Sequence, residues 1–179
     1  SNIPGLDMSI TKLSMAKLEP SLSGEFAAHY RLKDALEQVR GKYHYIFIDT
    51  PPTLGLITLN ALVAANYIFI PIQSSYLCLE GTDDLLETIE KVKKIANPHL
   101  KVLGVVITLY DKRTNLARDV VQRIKKVFGD KLFKTYVSKS VKLEESPAYK
   151  ESIFTYAPGS IGADQYRKVA EELMSRAKN

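Results

Sequence analysis

The 179-residue sequence has no tryptophan and a single cysteine, Cys78. One thiol cannot close an internal disulfide, so nothing calls for an oxidising compartment, and Cys78 reads as a small buried hydrophobe. Long apolar runs are also lacking: stretches such as Tyr67 to Ile72 are far too short to span a bilayer. No stretch reads as a signal or transit peptide, and a cytoplasmic location is expected. His29, His44 and His99 have no Cys or second His at ligand spacing, so no zinc-type site is expected. A phosphate-cradling loop of the form G-x-x-x-x-G-K-[ST] is missing too. The one Gly-Lys pair, Gly41-Lys42, has Leu36 where the first glycine would stand and Tyr43 after it, between a predicted helix and a predicted strand.

What is present is an ordinary globular balance, 45% hydrophobic and 25% charged, of a size that makes one domain. The net charge of +5 is unevenly spread: residues 101–150 carry twelve Lys/Arg against five Asp/Glu. A local cationic excess of this kind hints at a polyanion, although solvated faces also look like this.

Residues 1–24 read as a loop-rich lead-in with a possible short strand around Leu6–Ile10, and residues 25–179 as the main domain. Helical periodicity predicts a helix over 26–40 with Leu32, Ala35, Leu36 and Val39 on one stripe. The β-rich runs Tyr45–Ile48, Tyr67–Ile70 (ended by Pro71), Val102–Leu109 and Leu132–Val137 predict four strands. Helices are predicted over 55–65, over 82–96 with Thr82 as N-cap, over 114–128 with Leu116, Val120, Ile124, Val127 and Phe128 inward, and over 163–177 with Tyr166, Val169, Ala170 and Leu173 inward. Strands that are apolar almost throughout, alternating with amphipathic helices, specify a doubly wound α/β fold with a mostly parallel sheet and helices on both faces. Ligands in such folds sit at the carboxyl ends of the strands, which places the chemistry near Asp49–Pro52, Pro71–Ser75, Leu109–Arg113 and Val137–Lys142.

Asp49 closes an apolar run and is followed by Thr50-Pro51-Pro52. Two readings fit that spacing: a Walker B carboxylate helping to hold Mg²⁺, or the cap of the next turn.

From residue 43 the text becomes family-like. Tyr43 to Asn66, Ile70-Pro71-Ile72-Gln73, Tyr76, Leu79-Glu80-Gly81, Leu103 to Asp111, Arg113-Thr114-Asn115-Leu116, Val141-Lys142-Leu143, Glu145, Pro147, Tyr156, Pro158, Ser160, Gly162-Ala163 and Tyr166 follow in unbroken order. The ordered set resembles the ParA/Soj family of deviant-Walker partition ATPases over 25–177. The resemblance implies a P-loop α/β fold, binding of ATP with Mg²⁺, a homodimer in the ATP state, non-specific double-stranded DNA binding, and a ParB-like stimulating partner in chromosome or plasmid partitioning. It implies a cytoplasmic, nucleoid-associated protein. Asp49 resembles the Walker B Asp; Thr50, Pro51 and Pro52 resemble the switch loop. The family's phosphate loop maps to no residue here, so these 179 residues alone are expected to be inactive in hydrolysis.

The resemblance also matches Arg113 and Lys142 to the family's DNA-facing basic residues. Arg118, Lys125, Lys126 and Lys139 could extend that patch but read better as a solvated face. Val137, Ser138 and Lys139 correspond to the adenine-side loop, where the usual Ile-Pro-Arg-Asn-like text is replaced. Two other functions fit less: a non-catalytic DNA-binding or interaction module of the same fold, and a MinD-like membrane-positioning ATPase, which would need a more apolar tail than Glu171–Asn179. An unpaired central strand edge is expected to invite self-association.

Overall fold

A computed structural model describes residues 3–9, 20, 22, 24–75 and 77–178, and for 77–80 the backbone only. The chain forms two compact units, Ser1–Ala65 and Asn66–Asn179.

In the first unit the predicted helix over 26–40 is broken. A 3-10 turn (Ala28–Tyr30), helix α1 (Arg31–Glu37) and a second 3-10 turn (Arg40–Lys42) replace it, and no residue of α1 is buried. Ala27 precedes the first turn at φ 63°. That left-handed backbone cannot continue a right-handed helix. α1 has no local side-chain cap. Its Leu32 amide instead donates to Asn60 Oδ1 at 3.0 Å. Asn60 lies on helix α2 (Leu56–Ala64), and its Nδ2 donates to the Ala28 and Leu56 carbonyls at 3.0 Å each. A buried asparagine from a remote helix thus satisfies the helix-end groups that the local sequence leaves open.

The run Tyr45–Ile48 is extended but forms no strand, a correction to the expected pattern. A strand needs a ladder partner for its amides and carbonyls, and none is paired with it among the described residues. Phe47 is 78% exposed, and Tyr45 and Phe47 stack on one face with centroids 6.4 Å apart. Residues 6–9 also form no strand, and Ile10 lies outside the described residues.

The second unit carries the parallel sheet. Strand β1 (Tyr67–Gln73) pairs in parallel with β2 (Lys101–Thr108) from Tyr67↔Lys101 to Gln73↔Thr108. β1 runs through Pro71 rather than ending there. It has one strand neighbour among the described residues, and an edge strand tolerates a missing amide donor. The crossover between them is α3 (Leu77–Ile95). It begins earlier than predicted, so Thr82 is a buried interior residue rather than an N-cap, while Ile89 and Val92 are buried in the core. The side chains of Tyr76 and Cys78 lie outside the described residues.

Val105, Val106 and Ile107 of β2 are all buried, as required of a strand covered on both faces. The segment predicted as a fourth strand runs along the other edge of β2, where among the described residues it and Ser138 just after it make two isolated parallel bridges, Val105↔Leu132 and Tyr110↔Ser138. The Phe133 and Val137 amides donate to the Val105 and Ile107 carbonyls, so four residues pass where a regular ladder passes two, and the Lys134 amide, facing away from β2, donates to the Glu172 carboxylate (3.0 Å to Oε2). Glu172 sits on α7 (Ile161–Ala177), beside Arg176, whose guanidinium donates to it and to the Leu103, Lys131 and Leu132 carbonyls. It also lies 4.5 Å from the centroid of the Phe133 ring.

Helix α4 (Asn115–Phe128) is capped by Thr114, which accepts from the Ala117 amide, and ends at Gly129, φ 55°. Its core stripe is Ala117, Val120, Val121, Ile124 and Phe128; Leu116 and Val127, expected inward, are exposed. At 100° per residue those two sit together on one flank, about a quarter-turn from the stripe. On α7, Val169 and Ala163 are buried, whereas Tyr166 and Ala170 face outward. Two short helices, α5 (Val141–Glu145) and α6 (Ile153–Tyr156), precede α7.

Gly104 of β2 has no room for a side chain: an added Cβ would lie 2.2 Å from Phe133 Cε2 and 2.8 Å from the Lys131 carbonyl oxygen. Gly104→Ala should therefore push the 131–134 segment off β2 and cost roughly 1–3 kcal/mol. The check is the urea midpoint at unchanged slope; a midpoint equal to the parent's would contradict this packing.

Candidate functional site

Two sets of candidate residues fall in different units, and each is described within its own. In the first unit, Asp49 ends the extended run with its side chain exposed and without an ion pair among the described residues. The loop after it is pinned from behind. Thr58, buried on α2, donates its hydroxyl to the Thr53 carbonyl and, at 3.5 Å, lies against the Pro51 carbonyl. Pro51 and Pro52 stiffen the loop by fixing φ. Thr58 was not singled out from the sequence. The available signal was a hydroxyl one turn into a helix that follows a Pro-rich loop.

In the second unit, three of the four expected strand ends meet. The Ser74 amide donates to the Thr108 carbonyl at 3.1 Å and its hydroxyl to the Leu109 carbonyl at 3.0 Å. Leu109 then takes φ 50°, turning the chain sharply as β2 ends. The Tyr110 amide donates to the Val137 carbonyl at 3.0 Å, and the Lys139 amide to the Tyr110 carbonyl at 3.2 Å. These bonds hold the 109–114 loop beside the 137–142 segment, so the loop bearing Arg113 and the start of the helix bearing Lys142 share one end of the sheet.

Arg113 is 84% exposed, yet its guanidinium is not idle. Nε donates to Asp111 Oδ1 at 2.9 Å and Nη2 to Asp111 Oδ2 at 2.7 Å, while the Arg113 amide also donates to Oδ1 at 3.0 Å. The guanidinium, then the amide, hold the Asp111 carboxyl down at about 2. Lys142 is 55% exposed and donates from Nζ to Glu145 Oε2 at 3.0 Å. Tyr156 OH donates to the same oxygen at 2.9 Å, and Lys142 lies 5.5 Å from the Tyr156 ring centroid. Lys142, then Tyr156, lower the Glu145 carboxyl below its usual range. Asp111 was given no role from the sequence, and Glu145 reads there with Glu144 as a solvated acidic pair rather than a partner-facing one. The carboxylate two residues before Arg113 and three after Lys142 were the signal.

The 137–139 loop, expected on the adenine side, is tightly committed. The Val137 amide donates to the Ile107 carbonyl, and the Ser138 amide to Gln165 Oε1 at 2.9 Å, while Gln165 Nε2 returns a bond to Ser138 Oγ at 2.9 Å. With Lys139 bonded to Tyr110, all three backbone donors of this loop are engaged within the protein.

A family profile described as an AAA domain matches residues 1–102. The chromosome partitioning protein ParA of Caulobacter vibrioides (strain NA1000 / CB15N) is 36% identical over 181 positions, covering 100% of this chain and 68% of that protein. The sporulation initiation inhibitor protein Soj of Bacillus subtilis (strain 168) is 40% identical over 173 positions, covering 97% of this chain and 68% of that protein. The chain belongs to the ParA/Soj family of partitioning ATPases. Among solved structures, a cobyrinic acid a,c-diamide synthase from Mycobacterium smegmatis with bound ADP and magnesium superposes with a TM-score of 0.78 at 31% identity, over 94% of this chain and 62% of that one. A plasmid partition protein from Borrelia burgdorferi gives a TM-score of 0.70 at 19% identity. The doubly wound, P-loop NTPase-like α/β fold is thereby established, and the chain spans about two thirds of the ParA and Soj relatives.

In this partitioning-ATPase frame, Thr58 is the anchor of the loop after Asp49. Thr58→Val keeps the shape and removes the donor. It should cost about 0.5–1.5 kcal/mol of stability and speed amide exchange over residues 50–55 while leaving the second unit's protection unchanged. Unaltered exchange in that loop would remove Thr58 from this role.

Proposed function

We propose that the full-length protein is an ATP-dependent partition switch that dimerises on nucleotide and then holds double-stranded DNA without reading its sequence. The observation that carries this reading is the pairing of Tyr110 with Ser138. It sets two exposed cations, Arg113 and Lys142, at one end of the sheet in a family of partitioning ATPases. Arginine and lysine on a rigid scaffold meet phosphates at fixed spacing without base contact, which is sequence-blind and salt-sensitive binding.

The residues present suit Mg²⁺ with a nucleotide. Asp49 offers one exposed carboxylate, and no group of three or more His/Cys/Asp/Glu side chains forms a metal cage among the described residues. Mg²⁺ is commonly held by one or two carboxylates plus substrate phosphates rather than by a protein cage. Asp49 would hold the ion directly or through water. The bound ion would neutralise charge on the phosphates during transfer. Thr50, Pro51 and Pro52 form the loop that would respond to the terminal phosphate, with Thr58 setting its resting position. Val137, Ser138 and Lys139 border the adenine in the same reading. A ParB-like protein is the expected stimulator of hydrolysis, and the nucleoid the expected location.

The MinD-like alternative gains no support. No helix among the described residues is long and apolar enough to cross a membrane. On the C-terminal helix α7, Val169 lies in the core cluster and Leu173 packs against it, so that face is already in use.

With ATP and Mg²⁺, full-length protein should retain unrelated duplexes equally well, and affinity should fall steeply with salt. Arg113→Glu and Lys142→Glu should each weaken binding to every sequence, and neutral Arg113→Ala or Lys142→Ala should flatten the log–log salt slope by about 0.9 per lost phosphate contact. Filter binding across a salt series reads both effects. Unchanged affinity in both charge reversals would remove this surface from DNA binding.

A further inference from the structure

Each cation assigned to DNA already holds a carboxylate of its own chain. Arg113 grips Asp111 through two side-chain bonds, and Lys142 grips Glu145 through one. We infer that Asp111 and Glu145 act as internal stand-ins for DNA phosphate, occupying the two cations in the free protein and setting how weakly it holds DNA. This rests on the DNA-binding reading above.

The geometry favours exchange over permanent pairing. Nε and Nη2 of Arg113, the edge turned to Asp111, form the fork that would grip a phosphate side-on. Both pairs are exposed at the cation, and exposed pairs are weak, so phosphate can displace them. The carboxylates stay behind when the cations leave. Asp111 keeps its bond from the Arg113 amide, and Glu145 keeps its bond from Tyr156 OH. Each would then remain as a fixed negative charge beside the incoming phosphate, which lowers affinity a second time. Asp111 stays ionised throughout the neutral range, since its carboxyl is held down at about 2.

Other acids on the same elements supply controls. Asp119 on α4 and Glu144 on α5 are exposed and form no ion pair among the described residues. Their neutralisation changes net charge equally without freeing a cation. Asp111→Asn retains an oxygen acceptor for the Arg113 amide, and Glu145→Gln retains one for Tyr156, so the local fold is kept.

The test is DNA affinity of full-length protein with ATP and Mg²⁺ at fixed salt. Asp111→Asn and Glu145→Gln should each tighten binding roughly two- to fivefold, the range expected from freeing an exposed pair. Asp119→Asn and Glu144→Gln should tighten it distinctly less. In an Arg113→Ala background, the gain from Asp111→Asn should shrink to that of Asp119→Asn, and Lys142→Ala should do the same for Glu145→Gln. Gains no larger than the controls, or undiminished without the cation, would reduce the effect to net charge and overturn the inference. Weaker binding in Asp111→Asn or Glu145→Gln would make that carboxylate a support for its cation and overturn the inference there. If Arg113→Ala and Lys142→Ala both leave affinity unchanged, the DNA surface itself is wrong, and the inference falls with it for that separate reason.

Discussion

Gly104 brings the backbone of β2 against the Phe133 ring and the Lys131 carbonyl at a distance no Cβ permits. Much of the second unit follows from that approach. With the 131–134 segment so close, the Phe133 amide reaches the Val105 carbonyl at 2.8 Å, and the parallel course of 132–138 along β2 begins. Phe133 in turn forms a core cluster with Val106, Val137 and Val169. Arg176 covers its ring and takes up the Leu103, Lys131 and Leu132 carbonyls. A guanidinium suits this task because its planar fork can satisfy several carbonyls while stacking on an aromatic face.

The same alignment sets the functional end. Because 132–138 stays parallel to β2, its last residues reach the turn after β2 and pair with Tyr110. The left-handed Leu109 and the Ser74 hydroxyl fix where that turn begins. Arg113 and Lys142 are 29 residues apart in sequence, and only this chain of contacts places their segments side by side. A core glycine and a surface cation pair are thus linked through one strand register.

The parallel α/β fold was legible because β2 and the helices around it are buried by pattern: Val105–Ile107, the 117–128 stripe and Val169 carry it. Three of the four strand ends were legible as neighbours for the same reason, since topology alone puts those loops at one end of the sheet. The errors share one cause. Periodicity reports which residues are apolar, not which neighbours exist to cover or pair with them. Tyr45–Ile48 has strand composition but no ladder partner among the described residues, so it stays extended and exposed. Leu132–Val137 has strand composition too, but it takes four residues, Phe133 to Val137, to pass the two from Val105 to Ile107, an irregularity that composition does not announce. Leu116 and Val127 are apolar at nearly helical spacing yet sit half-exposed on a flank beside the buried stripe. Asn60 and Thr58 were silent in sequence because their partners are remote or are backbone carbonyls, which no side-chain pattern announces.

A charged surface that must grip DNA and release it faces a constraint that affinity alone does not meet. Bare arginines and lysines bind any polyanion, and each added phosphate contact steepens the salt response. Pairing the two cations with carboxylates on the same elements lowers the net local charge without removing the donors. In the proposed exchange the pairs yield to phosphate and re-form when it is absent. The sequence carries this balance in short range, as Asp111 two before Arg113 and Glu145 three after Lys142, so the opposing charge travels with the cation. Binding strength at such a surface is then a difference between two similar ion pairs, protein–protein and protein–phosphate. That difference is small at any single site and grows only when several sites engage together, which is the behaviour a dimer that doubles the number of sites would convert into a switch.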